Sequence, residues 1–249
     1  MVGKFFMVEG IDGSGKSVAI NAIKDYAVSK NLKVLDVRAF CEQKNTFPDD
    51  DEIAESDIVF TSEPSYSFVG RALRTELLIE ENNYPAWTIA NSFALDREIL
   101  YKRIVLPALK QNKTVVQERG LPSTMVYQPV QDKISLAELM RLPGNKLASE
   151  HPPHSLLILK VKPEEAITRL NARFSQKYSL FDTLFFQRKI EERYSSFWLR
   201  GYFEKLGTDV YTFETSNPIS AEQNRKNSLR IFQAMIGNKT KTNEKQTQL

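Results

Sequence analysis

The chain has 249 residues, 41% hydrophobic and 26% charged, a composition that excludes disordered, fibrous and membrane-spanning classes. Its 34 basic and 31 acidic side chains leave a net charge of +3, which gives no ground for expecting a nucleic-acid or membrane partner. The single cysteine, Cys41, has no second cysteine to pair with, so the fold must rest on a packed core and a reducing compartment is expected. The apolar stretch at the N-terminus is too short for a signal peptide, and the expected address is cytoplasmic.

Short β-rich runs alternate with long amphipathic segments, which predicts an α/β fold. The expectation is a doubly wound domain with a parallel sheet of about five strands and helices on both faces. Candidate strands are 5–9, 33–38, 57–61, 114–117, 156–161 and 210–213. Candidate helices are 16–29, 68–80, 86–111, 136–141, 163–174, 183–205 and 221–236. No repeat and no Gly/Pro/Ser-rich linker divides the chain, so one domain over 1–236 is expected, followed by a disordered tail over 237–249. Residues 40–56, with Asp49, Asp50, Asp51, Glu52 and Glu55, read as a solvated surface loop. Residues 144–154, with both histidines and two prolines, read as a linker.

Gly10-Ile-Asp-Gly-Ser-Gly-Lys16-Ser17 fits G-x-x-x-x-G-K-[ST], the P-loop pattern, between an apolar strand and a helix-compatible run. Gly10, Gly13, Ser14 and Gly15 let backbone amides turn around phosphate oxygens, and the helix that follows presents unpaired N–H groups. Lys16 is expected on the β and γ phosphates and the Ser17 hydroxyl on Mg²⁺, the cofactor that accompanies ATP. No N-K-x-D guanine signature follows and the chain is short for a motor, which favours a small-molecule kinase.

Four further blocks follow in order: TSEPS at 61–65, NSFALDR at 91–97, VVQERGLPSTMVYQ at 115–128 and LLILKVKPEEAITRLNARF at 156–174. With the opening FFMVEGIDGSGKS, they resemble thymidylate kinases over most of residues 3–215. The resemblance implies transfer of a phosphoryl group from ATP to dTMP or a similar deoxynucleotide. It also implies no nucleic-acid or membrane partner and is compatible with a homodimer.

Phe93 and Arg97, four apart, share one helix face, so a ring can stack on a base while a guanidinium reaches its carbonyl. The resemblance assigns that task to them. Arg119, beyond the strand at 114–117, is placed to clamp the acceptor phosphate, and Glu118 to hold Mg²⁺ or to orient Arg119. The resemblance further implies that Tyr127 packs under the sugar and excludes ribonucleotides, with Thr124 near the base. Asp12 joins the catalytic and acceptor-contacting set, and Glu63 could meet the sugar, Mg²⁺ or an attacking hydroxyl.

Ser62 stands where the family commonly has a phosphate-facing arginine, for which Arg71 or Arg74 could substitute. Arg169 and Arg173 resemble the helix leading into a nucleotide-kinase lid, here about 174–184. Arg169 is assigned to adenine and Arg173, with Lys177, to the transferring phosphoryl group, because Gly13 follows Asp12 where other members carry a basic residue. Glu118-Arg119 and the missing arginine also resemble deoxynucleoside kinases, which phosphorylate the nucleoside 5′-hydroxyl. A nucleotide-binding regulatory protein with weak turnover is a further alternative.

Overall fold

Apolar runs such as Lys4–Glu9 (KFFMVE) and Ser155–Lys160 (SLLILK) are buried almost throughout, as in parallel strands covered on both faces. The structure, a computed structural model, describes residues 3–131, 134–172 and 183–237. The first half runs β1 (Lys4–Glu9), α1 (Lys16–Ser29), β2 (Val34–Asp36), α2 (Val37–Lys44), α3 (Asp50–Ala54), β3 (Ile58–Ser62), α4 (Phe68–Ala72), α5 (Ala86–Leu100), α6 (Leu106–Lys110) and β4 (Thr114–Glu118). Then come α7 (Leu121–Gln131), α8 (Leu136–Arg141), α9 (Pro143–Glu150), β5 (Ser155–Lys160), α10 (Pro163–Asn171), α11 (Leu184–Tyr194), α12 (Phe197–Lys205), β6 (Asp209–Glu214) and α13 (Ala221–Gly237).

All six candidate strands enter one parallel sheet in the order β2-β3-β4-β1-β5-β6, one strand more than expected. The extra member is the short edge strand β2, which pairs with β3 only over Val34–Asp36. β1 lies between β4 and β5, so a crevice opens at its carboxyl end where the winding reverses. Alternation along β1 sends Phe5 and Met7 into one core with Tyr101, Leu121, Tyr194 and Phe203. Phe6 and Val8 enter the other, under α1 and α13, with Ile20, Ile23, Phe232 and Met235.

Residues 40–56 are not a plain loop. Asp49 caps α3, accepting from the N–H groups of Asp51 and Glu52 at 3.1 and 3.0 Å, while Glu52 reaches back to the Asp49 N–H. The acidic run is thus a capping box with carboxylates in the first turn, where the helix dipole favours them. The expected linker at 144–154 is mostly α9, opened by Pro143 at its first position. The expected helix 86–111 carries a π-turn at Tyr101–Val105 just ahead of Pro107, whose missing N–H interrupts the ladder. The expected helix 183–205 splits at Ser195 and Ser196, whose hydroxyls bond Glu191 and the Arg193 carbonyl.

Among the described residues no helix is long and apolar enough to cross a membrane. The expected lid lies almost wholly outside the described residues, as do Arg173 and Lys177 and all of the expected tail after Gly237.

Candidate active site

The loop after β1 is shaped by glycine. Gly10, Gly13 and Gly15 all have positive φ (138°, 79° and 88°). A Cβ on Gly10 would also lie 2.3 Å from the Leu159 carbonyl oxygen, and one on Gly13 2.7 Å from that of Ala166. Lys16 is folded back over this loop, donating to the Gly10 and Ile11 carbonyls at 3.1 and 2.9 Å, with Asp12 3.7 Å away. Burial, joined by the Arg119 charge, lowers its ammonium to about 8 against the pull of Asp12. Ser17 stands exposed in the first turn of α1. Arg169, from α10, donates to the Gly13 carbonyl at 3.0 Å and to the Thr215 carbonyl at 2.6 Å. It therefore bridges the loop to the segment after β6. With a further bond to the Glu165 carboxylate at 2.8 Å, three of its five N–H groups are engaged.

Across the crevice, Arg119 has φ 63°, a left-handed backbone that costs a non-glycine residue about 1–3 kcal/mol and persists only where neighbours enforce it. Its N–H bonds the Val8 carbonyl at 2.9 Å. Its guanidinium reaches Asp12 at 2.5 Å and the Gly10 carbonyl and Ser123 hydroxyl, each at 3.2 Å, and lies 5.5 Å from the centre of the Tyr127 ring. Burial alone would raise the Asp12 carboxyl, but the Arg119 and Lys16 charges outweigh it and hold Asp12 below its ordinary range.

Beside Arg119 opens a cavity of about 130 Å³ lined by Asp12, Glu63, Phe93, Arg97 and Arg119, with Thr124, Tyr127 and Gln128 contributed by α7. Arg97, only 1% exposed, is clamped from three directions. It meets both Glu63 oxygens at 3.2 and 2.5 Å, the Thr124 hydroxyl at 3.0 Å and the Asn145 side-chain oxygen from α9. Those four bonds leave one of its five N–H groups. Gln117 donates to Glu63 at 3.1 Å from the neighbouring strand. Burial pushes the Glu63 carboxyl up to about 7, with Arg97 pulling the other way.

A family model described as thymidylate kinase matches residues 51–224. A thymidylate kinase of Caldicellulosiruptor saccharolyticus is 31% identical over 193 residues, covering 76% of this chain and 80% of that protein. One of Prochlorococcus marinus is 31% identical over 173 residues, covering 68% and 71%. This chain belongs to the thymidylate kinase family. A crystal structure of thymidylate kinase from Ehrlichia chaffeensis superimposes with a TM-score of 0.60 at 18% identity, covering 94% of this chain and 99% of that one. The shared fold is the α/β architecture expected of the family.

The matched thymidylate kinase region begins after the loop at 10–17, so the loop rests on its own motif and geometry. Of the residues singled out for the acceptor side, Asp12, Glu63, Phe93, Arg97, Arg119, Thr124 and Tyr127 line this cavity, whereas Arg74, Arg71 and Glu118 do not. Arg74 donates to the Pro64 and Ser65 carbonyls and stacks on Tyr66 at 3.9 Å. Arg71 is taken by Asn45. Glu118 ends β4 beside Arg119 but outside the cavity lining.

Several residues that line or support this cavity were not singled out from sequence. Gln128, one turn beyond Thr124 on the same face of α7, lines the cavity with its buried side-chain oxygen free of hydrogen bonds. The Thr124/Gln128 spacing of four was the available signal. Asn145 and Gln117 carried none, because they meet Arg97 and Glu63 only through the tertiary fold.

Proposed function

We propose that this chain transfers the γ-phosphoryl group of ATP to the 5′-phosphate of dTMP. The observation that carries the reading is Arg119, held in a strained backbone between the phosphate-binding loop and a small pocket. Its guanidinium joins Asp12 of the loop to the cavity, which supports a role between donor and acceptor phosphates. A cavity of about 130 Å³ is on the scale of the roughly 150 Å³ site that encloses benzene, which suits one six-membered ring better than a purine. The remaining N–H of Arg97 suits a base carbonyl. The Gln128 side chain offers both a donor and an acceptor to a base edge, and Phe93 supplies a stacking face.

Catalysis in this site is positioning and charge neutralisation. Lys16 would leave the Gly10 and Ile11 carbonyls to take the γ-phosphoryl oxygens, and Arg119 would exchange Asp12 for the acceptor phosphate. Ser17 and Glu118 are hard oxygen donors at the mouth of the loop, and Mg²⁺ held largely by nucleotide phosphates needs only one or two such groups. Bound there, the ion would spread the charge of the transferring group. A monophosphate acceptor is already ionised and needs no general base. That agrees with Glu63, whose two oxygens are taken by Arg97 and Gln117.

The test is an acceptor panel of dTMP, dUMP, dGMP, dCMP, AMP and thymidine, assayed for ADP release with Mg²⁺-ATP. dTMP is expected to be the fastest acceptor. Faster turnover of thymidine would replace this reading with a nucleoside kinase.

A further inference from the structure

Glu9 ends β1, immediately before the phosphate-binding loop, and is fully buried. One of its oxygens accepts from the N–H groups of Gly120 and Ser123 at 2.8 and 3.1 Å. The other accepts from the Ser123 hydroxyl at 2.8 Å, the Tyr194 hydroxyl at 2.7 Å and, more weakly, the Gly10 N–H at 3.4 Å. The Tyr194 and Ser123 hydroxyls are themselves 3.0 Å apart. An acid withdrawn this far from water persists only with such a complete set of donors.

This arrangement has two physical consequences. Gly120 immediately precedes α7 and Ser123 lies in its first turn, so the Glu9 carboxyl group fills the position where the free N–H groups and positive dipole end of that helix would attract an anion. An acceptor phosphate is thereby left to Arg119. In addition, the N–H groups of Arg119 and of the next residue are both anchored on β1, the first to the Val8 carbonyl and the second to Glu9. Two successive anchors on the strand that feeds the donor loop enforce the left-handed backbone of Arg119. Ser123 completes the link by accepting from the Arg119 guanidinium.

We propose that Glu9 is a positioning residue for phosphoryl transfer: with Ser123 and with Tyr194 of α11 it sets the acceptor clamp Arg119 against the donor loop. Glu9 touches neither substrate. Its effect is on alignment, and a misplacement of about 1 Å in a transfer reaction can cost on the order of a hundredfold in rate. Burial and the adjacent Glu9 charge push the Tyr194 hydroxyl well above its ordinary range, so it stays a donor. The inference rests on the dTMP kinase reading above.

The experiment compares wild type, Tyr194→Phe, Glu9→Gln and the double variant. It measures kcat and KM for dTMP and Mg²⁺-ATP, equilibrium Kd for dTMP, and thermal midpoints. Tyr194→Phe removes one hydroxyl from a packed ring and keeps the test open if Glu9→Gln does not fold. Expected is a fall in kcat of about tenfold for Tyr194→Phe and up to about a hundredfold for Glu9→Gln, with Kd and KM held within about threefold. The double variant should be no slower than Glu9→Gln alone, since both changes act through one contact. Unchanged kcat in the folded variants, a rise in Kd without loss of kcat, a loss that only tracks the unfolded fraction, or additive losses in the double variant would each overturn it. Wild type inactive on dTMP but active on another acceptor would remove the functional reading alone, and the same kcat comparison would then be made with that acceptor.

Discussion

On the proposed reading, the donor and acceptor halves of the crevice are built on opposite plans. The donor half is a contiguous loop of eight residues, Gly10–Ser17, in which glycine backbone and one lysine do the work. The acceptor half draws Glu63 from the end of β3, Arg97 from α5, Arg119 from beyond β4, Thr124 from α7 and Asn145 from α9. A loop that wraps phosphates with its own amides needs little support from elsewhere. A pocket that reads a base with side chains must hold each of them, and here the means is a buried ion pair. Consequently the Lys16 side chain should be replaceable without loss of the fold, while the acceptor half should couple recognition to stability.

The largest expected effect tests that coupling. Arg97→Leu leaves Glu63 buried without its partner, which should cost about 3–5 kcal/mol. At about 2–4 °C per kcal/mol for a chain of this size, the melting midpoint should fall by roughly 6–20 °C. Glu63→Gln together with Arg97→Leu should recover much of the loss, because no buried charge then remains. If calorimetry finds Arg97→Leu as stable as wild type, the acceptor half is no more structural than the donor half.

Next in size is Lys16→Ala, whose rate should fall at least a hundredfold, in the range of about 2.7–4 kcal/mol for one lost transition-state contact. Its melting midpoint should move far less than that of Arg97→Leu. Steady-state turnover beside a melting curve separates the two regions directly. A folded Lys16→Ala variant with wild-type turnover would remove the loop from the reaction.

Arg119→Ala sharpens the contrast inside the acceptor half. It should weaken dTMP binding by about 2–4 kcal/mol while leaving thymidine binding nearly unchanged, since only dTMP carries the phosphate. Titration calorimetry with both ligands reads this. Equal weakening for the two would place Arg119 on the sugar or base.

The smallest effect is one of pH. With the Lys16 ammonium lowered to about 8, the cation is present below that value and lost above it. The kcat/KM for ATP should therefore decline above pH 8 by up to about tenfold per unit. The kcat/KM for dTMP at saturating ATP should stay flat over the same range, because the bound phosphates keep Lys16 charged and Asp12 helps to hold Arg119 well above its ordinary range. Lys16→Arg should flatten the ATP profile. A decline that persists in that variant belongs to another group.

The sequence by itself determined the α/β class, the six strand segments, the phosphate-binding loop and most cavity-lining side chains. The class, the strands and the loop depend on short-range spacing, continuous apolar runs and a glycine pattern, as does the pair Phe93 and Arg97; Glu63, Thr124 and Tyr127 came through the resemblance to the family. Local reading misled where a run of like charges was a helix cap, at Asp49–Glu52, and where Pro107 and Ser195–Ser196 interrupted otherwise periodic helices. Only the tertiary structure decided that Arg74 binds backbone away from the pocket, that Asn145 and Gln117 hold Arg97 and Glu63, and that Glu9 joins α7 to Tyr194, 185 positions away. These are contacts between groups brought together by the parallel sheet and its crossovers. A buried carboxylate or guanidinium takes whichever donors and acceptors the packed fold presents to it, and no local spacing encodes which those are.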